Sequence, residues 1–158
     1  MDVCFPPALD SSCRVLILGS LPGRASLQAQ QYYAHPRNQF WRLLGDILQQ
    51  PLRALSYPER LARLGVAGVG LWDVVAAAER QGSLDAALRS VEHNDLSRLV
   101  ATLPRLRVVA FNGATAARAQ KQLLDQRCAR LQLPSSSPAY TLGYDDKLAV
   151  WRELERYL

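Results

Sequence analysis

Between Gln31 and Trp41 the chain gathers Tyr32, Tyr33, His35, Arg37, Asn38, Phe40 and Trp41 within eleven residues. Such a mixture suits a flat heteroaromatic ligand: rings stack on its faces, and an amide both donates and accepts at its edge. Each residue also has a plainer reading. Phe40 and Trp41 begin an apolar periodic segment, so at least one of them points into a core. Asn38 stands where asparagine caps a helix, and capping does not exclude catalysis.

Three further groups carry polar chemistry. Gly19-Ser20-Leu21-Pro22-Gly23 follows an apolar run, and its glycines and proline force a tight turn that exposes backbone amides. It lacks the Gly-Lys-Ser/Thr of a P-loop and the dinucleotide fingerprint, so nucleoside triphosphate hydrolysis loses its main support. Pro134-Ser135-Ser136-Ser137-Pro138 holds three hydroxyls between two prolines. A stiff turn of that kind suits DNA phosphates, with an apolar neighbour able to wedge into a duplex, and it also reads as an ordinary surface turn. Asn112, in Phe111-Asn112-Gly113, offers an amide or simply a good turn. Asp73 ends Leu71-Trp72-Asp73, where a carboxylate is able to position water or, more simply, to cap backbone amides.

These groups need elements to bring them together. Four short apolar runs read as buried strands: Val15 to Leu18, Val69 to Trp72, Val108 to Phe111 and the weaker Leu131 to Leu133. Helical periodicity falls between and after them, over Phe40 to Leu48, Tyr57 to Leu64, Leu96 to Leu103, Ala114 to Leu124 and about Asp145 to Leu158. Asn94 is the expected cap of the third of these helices, and Pro104 closes it. Alternating strands and helices imply an α/β fold with a parallel sheet covered on both faces. Ligands of such sheets bind beyond the carboxyl ends of the strands, where all these polar groups fall. The stretch from Gly19 to Gln39 is long for a connection in a small domain, which marks it as functional.

The chain of 158 residues is expected to form one domain spanning 1–158. It has no long apolar run or signal-like start, so a membrane role is not expected and the cytoplasm is the expected compartment. Cys4, Cys13 and Cys128 are irregularly spaced, which suits free thiols and neither a disulfide framework nor a metal or iron–sulfur site. Its formal charge of +5 and pI near 9.4 favour a polyanionic partner, although many arginines sit among acids on helix faces. A serine hydrolase is disfavoured, because Gly-x-Ser-x-Gly is absent and neither histidine has a triad setting.

Gly19 to Gly23, then Tyr32-Tyr33-Ala34-His35-Pro36-Arg37-Asn38 with Phe40-Trp41, then Leu133 to Ala139, resembles the ordered motifs of the uracil-DNA glycosylase superfamily. The second and third of these segments are similar to its hypoxanthine-DNA glycosylase branch, and the likeness runs over roughly Arg14 to Trp151. The resemblance implies a three-layer α/β/α sandwich around a four-stranded parallel sheet. It also implies hydrolysis of the N-glycosidic bond of a deaminated base flipped out of DNA; no metal or cofactor is expected, and a monomer is the default for a compact repair enzyme. By this similarity Asn38 is the catalytic amide, Phe40 stacks on the base, and Asn112 contacts the base edge or supports catalysis. Gly19, Ser20, Leu21, Pro22, Gly23, Tyr33 and His35 line the base pocket, while Arg37 and Pro134 to Pro138 hold the DNA. Two departures bear on substrate: no aspartate lies within Gly19 to Gly23 to activate water, and no histidine lies in the serine loop. Catalysis is then expected to rely less on a general base. A uracil-specific glycosylase and a non-catalytic nucleic-acid-binding module are the competing readings.

Overall fold

Strands whose two faces are both apolar belong at the centre of a molecule, and Val15-Leu16-Ile17-Leu18 and Val108-Val109-Ala110-Phe111 have that composition. The computed structural model, which describes residues 1–124 and 127–158, places them side by side. In chain order the elements are β1 (Asp2–Val3), β2 (Val15–Gly19), α1 (Arg24–Ala29), α2 (Phe40–Leu48), α3 (Tyr57–Ala67), β3 (Val69–Asp73), β4 (Val75–Glu79) and β5 (Arg89–His93). They continue with α4 (Leu96–Ala101), β6 (Val108–Asn112), α5 (Ala114–Ala117), β7 (Ala129–Leu133) and α6 (Tyr144–Trp151). The central sheet has the order β3-β2-β6-β7, and all three pairings are parallel.

Successive side chains of each strand enter opposite cores. Leu16, Leu18, Val109 and Phe111 join α4, α5 and β4 on one face. Val15, Ile17, Val108 and Ala110 join α2, α3 and α6 on the other, where Phe40, Trp41 and Trp151 supply the bulk. The four expected strands and the helix Phe40–Leu48 form as read: β2, β3 and β6 bury apolar runs and α2 an apolar stripe, whereas β7 starts at Ala129 and buries only Leu133.

Five features depart from the sequence reading, one being the last helix, expected to run to Leu158, which ends at Trp151 and tightens to 3₁₀ geometry over Arg152–Tyr157. A second, antiparallel sheet of order β1-β4-β5 was not legible: Val75–Glu79 is mostly alanine, and β5 is exposed along its whole length, so neither shows a period of two. The stretch from Gly19 to Gln39 contains α1. The helix expected over Ala114 to Leu124 stops at Ala117 and tightens to 3₁₀ geometry over Arg118–Gln122. There Arg130 donates to the carbonyls of Gln120 and Leu123, and Ser97 Oγ donates to that of Gln122, taking the place of helical amides. Finally, Asp95 and not Asn94 caps α4, its Oδ1 accepting from Arg98 N at 3.0 Å, while Asn94 Nδ2 donates to the Asp73 carbonyl at 2.7 Å.

Candidate active site

The parallel register fixes where the polar strand ends meet. Gly19 lies opposite Asp73, Leu18 opposite Phe111, and Asn112 opposite Leu133, so the loops after all four strands open on one edge. A cleft of about 510 Å³ runs along that edge, within the range that holds a small ligand. Of the residues expected at the site, Gly19 to Gly23, Tyr33, His35, Asn38, Asn112 and Ser135 to Pro138 line it. Phe40, Arg37 and Pro134 do not.

The aromatic wall is built differently from the expectation. Phe40, expected to stack on a ligand, has no exposed surface. The ring of Tyr33 covers it in a parallel stack, with centroids 4.0 Å apart and planes inclined by 17°. Tyr33 therefore lines the cleft, as do Tyr32 and Tyr140, and Phe40 is the backing of the Tyr33 ring. Tyr33 is held there at φ 54°, a left-handed conformation costly for a bulky residue. The surroundings determine it: Tyr32 N donates to Tyr57 Oη, Tyr32 Oη to Pro6 O, Ala34 N to Ser26 Oγ, and Trp41 Nε1 to Tyr32 O, all at 3.0–3.1 Å.

Asn38 lies on the cleft, one residue before Gln39, the N-cap position of α2. Its Oδ1 accepts from Phe40 N, the first amide of α2, at 3.0 Å, which satisfies that free helical donor from outside the N-cap and fixes the amide orientation, since only the oxygen accepts. The Nδ2 group is left as a donor on the cleft side. Arg37 N donates to His35 Nδ1 at 3.1 Å, which leaves Nε2 of that ring as its other polar atom. The Arg37 side chain is exposed beside the cleft.

The serine loop is tied down from beneath. Asn112 Oδ1 accepts from Ser136 N and its Nδ2 donates to Ser136 Oγ, each at 2.9 Å, with Ser136 only 1% exposed. Gln39 N donates to Ser136 O, Lys147 Nζ to Ser137 O and Trp151 Nε1 to Pro134 O. Ser136 is thus a strut. Ser135 and Ser137 have oxygens that accept from backbone amides two residues on, so their hydroxyl hydrogens point elsewhere, available to an acceptor such as phosphate.

Sequence reasoning missed one wall. Ser83, Leu84 and Asp85, between β4 and β5, line the cleft, and nothing in their composition announced it. Asp85 accepts from Ser20 Oγ at 2.6 Å and faces Arg80 at 4.0 Å, while buried Arg80 also bonds Asp2 and the Pro22 carbonyl. This network anchors the Gly19 to Gly23 turn from outside the central sheet. Asp73, read as a cap, lines the cleft at 3% exposure, and its buried Oδ2 has no partner. Burial pushes its carboxyl up to about 7, with Asp85 adding to the shift and Arg80 opposing it. Burial likewise holds the Tyr33 phenol above its ordinary range, so it remains a hydroxyl. Among the described residues no three His, Cys, Asp or Glu side chains converge on a common metal position.

With this geometry in hand, the comparisons point one way. The model of the family described as the uracil DNA glycosylase superfamily matches residues 6–156. The chain is similar to the protein named hypoxanthine DNA glycosylase from Methanosarcina barkeri, at 39% identity over 149 residues, covering 94% of each chain. A protein of the same name from Methanosarcina acetivorans is 38% identical over 153 residues, covering 97% of each. The solution NMR structure of a candidate uracil DNA glycosylase from M. acetivorans superposes with a TM-score of 0.89 at 37% identity, covering 98% of this chain and 96% of that one.

Proposed function

That the chain belongs to the uracil-DNA glycosylase superfamily is the premise from which we propose its function: hydrolysis of the N-glycosidic bond of deaminated bases in DNA, hypoxanthine favoured. The preference rests on the relatives named for hypoxanthine, which match almost end to end. The observation that carries the reaction is a single cleft joining a stacking ring, Tyr33, an amide donor, Asn38, and a loop of free hydroxyls. The first receives an extruded base, the second stabilises charge as the bond breaks, and the third holds phosphate on either side.

Glycosidic cleavage passes through a transition state resembling an oxocarbenium ion, in which water enters late. Such a step needs a leaving base made stable and a sugar cation held close to negative charge more than it needs a strong base. Asn38 Nδ2 is placed to donate to the base or to the incoming water, its orientation locked by the bond from Phe40 N. Asn112 serves by fixing the serine loop through Ser136. We also read the architecture as a three-layer α/β/α sandwich around the four-stranded sheet and the acting species as a monomer. The two apolar clusters, on opposite faces of that sheet, support the first of these.

Single-turnover base release from matched duplexes containing hypoxanthine, uracil or xanthine tests the proposal. Hypoxanthine is expected to leave fastest, and Asn38→Ala is expected to slow it by about 100-fold or more, the scale for a lost transition-state donor. Uracil release without hypoxanthine release would move the substrate to a neighbouring branch. Binding of all three duplexes without release would make the chain a binding module.

A further inference from the structure

We propose that Asp73 is a second catalytic group, which hands a proton to the departing base as its bond to the sugar breaks. The inference rests on the glycosylase reading and deepens it at the same cleft.

Asp73 terminates β3 directly opposite Gly19, the first residue of the turn that forms the cleft floor. A side chain at position 19 would collide with it: an ideal Cβ there would lie 2.6 Å from Asp73 Oδ1 and 3.0 Å from Tyr33 Oη. Glycine thus lets the Asp73 carboxyl and the Tyr33 hydroxyl pack against the backbone of the turn, and both residues line the same cleft. Among the described residues no cation is bonded to Asp73: the Arg80 contacts go to Asp2, Asp85 and the carbonyls of Pro22 and Ser83. Its Oδ2 has no hydrogen-bond partner. A buried carboxylate without partner or counter-ion is costly, and the usual relief is to take up a proton. The groups facing it agree: burial and Asp85 favour the neutral acid, Arg80 opposes, and Tyr33 and Tyr32 are themselves protonated. The outcome is an acid titrating near 7, poised for transfer at neutral pH. Asp85, by contrast, is engaged by Ser20 and Arg80.

The chemistry balances as follows. The bond between C1′ and the base nitrogen breaks, and its electron pair passes to the base. The Asp73 proton moves to an acceptor on the base ring, so the base leaves neutral. Water adds to C1′, and the proton it sheds restores the Asp73 carboxyl directly or through solvent. Stabilising the leaving base in this way offsets the missing water-activating aspartate of the Gly19 to Gly23 turn.

The test is single-turnover hypoxanthine release at saturating enzyme from pH 5.5 to 9, for the natural chain and Asp73→Asn. The natural chain should lose about tenfold in rate per pH unit above pH 7 or so. Asp73→Asn, nearly isosteric but without a transferable proton, should be about 100-fold slower at pH 6 and lack that limb. Its affinity for a duplex carrying a non-cleavable 2′-fluoro deoxyinosine, which reads folding and binding together, should stay within a few fold. A natural-chain profile with no fall near pH 7 would overturn the inference without any variant. So would an Asp73→Asn enzyme slowed by one constant factor at every pH, as a merely structural residue would give. No hypoxanthine release by the natural chain at any pH would sink the glycosylase reading itself, and this inference with it.

Discussion

On the proposed mechanism the two ends of the amide at position 38 have separate duties, and substitution is able to part them. The oxygen accepts from Phe40 N, the first amide of α2, and the nitrogen is the end proposed to serve the cleft that Asn38 lines. Asn38→Asp keeps the acceptor for Phe40 N and loses the donor. It should melt within about 1 kcal/mol of the natural chain, yet release base about 100-fold more slowly. Asn38→Ala loses both, adding roughly 1 kcal/mol of destabilisation to the same loss of rate. Thermal melting and single-turnover release on both variants check this, and a fully active Asn38→Asp would reassign the residue to its helix contact alone. The residue scale is also where the sequence was most ambiguous. Asparagine before a helix signals a cap whatever else it does, and an aspartate at a strand end gives no sign that its carboxyl will be left without partner. Phe40 and Tyr33 were both visible as aromatic, but which ring faces the ligand depends on the left-handed turn at Tyr33, and nothing in its composition encodes that.

Elements with a buried face were legible, and elements without one were not. β2, β3 and β6 read directly because both faces are apolar, and α2 because its stripe of Phe40, Leu43, Leu44 and Ile47 repeats at helical spacing. β4 and β5 escaped notice, and with them went Ser83 to Asp85 and the Arg80 network that anchors the first loop. The serine loop was legible as a stiff turn, but its attachment to β6 was not, because Asn112 and Ser136 lie far apart in sequence. That attachment has a measurable consequence. Asn112→Ala leaves the buried Ser136 amide without its acceptor, a loss of about 1–3 kcal/mol. The loop it steadies should then hold a damaged duplex several-fold more weakly. Melting and duplex titration read the two effects, and an unchanged melting curve would show that the loop is held by its other ties.

For the molecule as a whole, the net charge of +5 sets a general attraction to DNA, and the cleft decides what is done with it. Charged and uncharged contacts are separable by salt. Arg37→Ala should weaken duplex binding and reduce the slope of log K against log salt by about 1. Ser137→Ala should weaken binding with no change in slope, because a hydroxyl displaces no counter-ion. An Arg37→Ala slope equal to that of the natural chain would remove Arg37 from the DNA surface. The central claim concerns the bond that is broken, and one product measurement addresses it most directly. After incubation with a duplex carrying a single deoxyinosine, the account predicts free hypoxanthine in solution by mass spectrometry, in amounts equal to the abasic sites, and an uncut strand until alkali is added. Free nucleoside or nucleotide, or a strand cut before alkali, would contradict it.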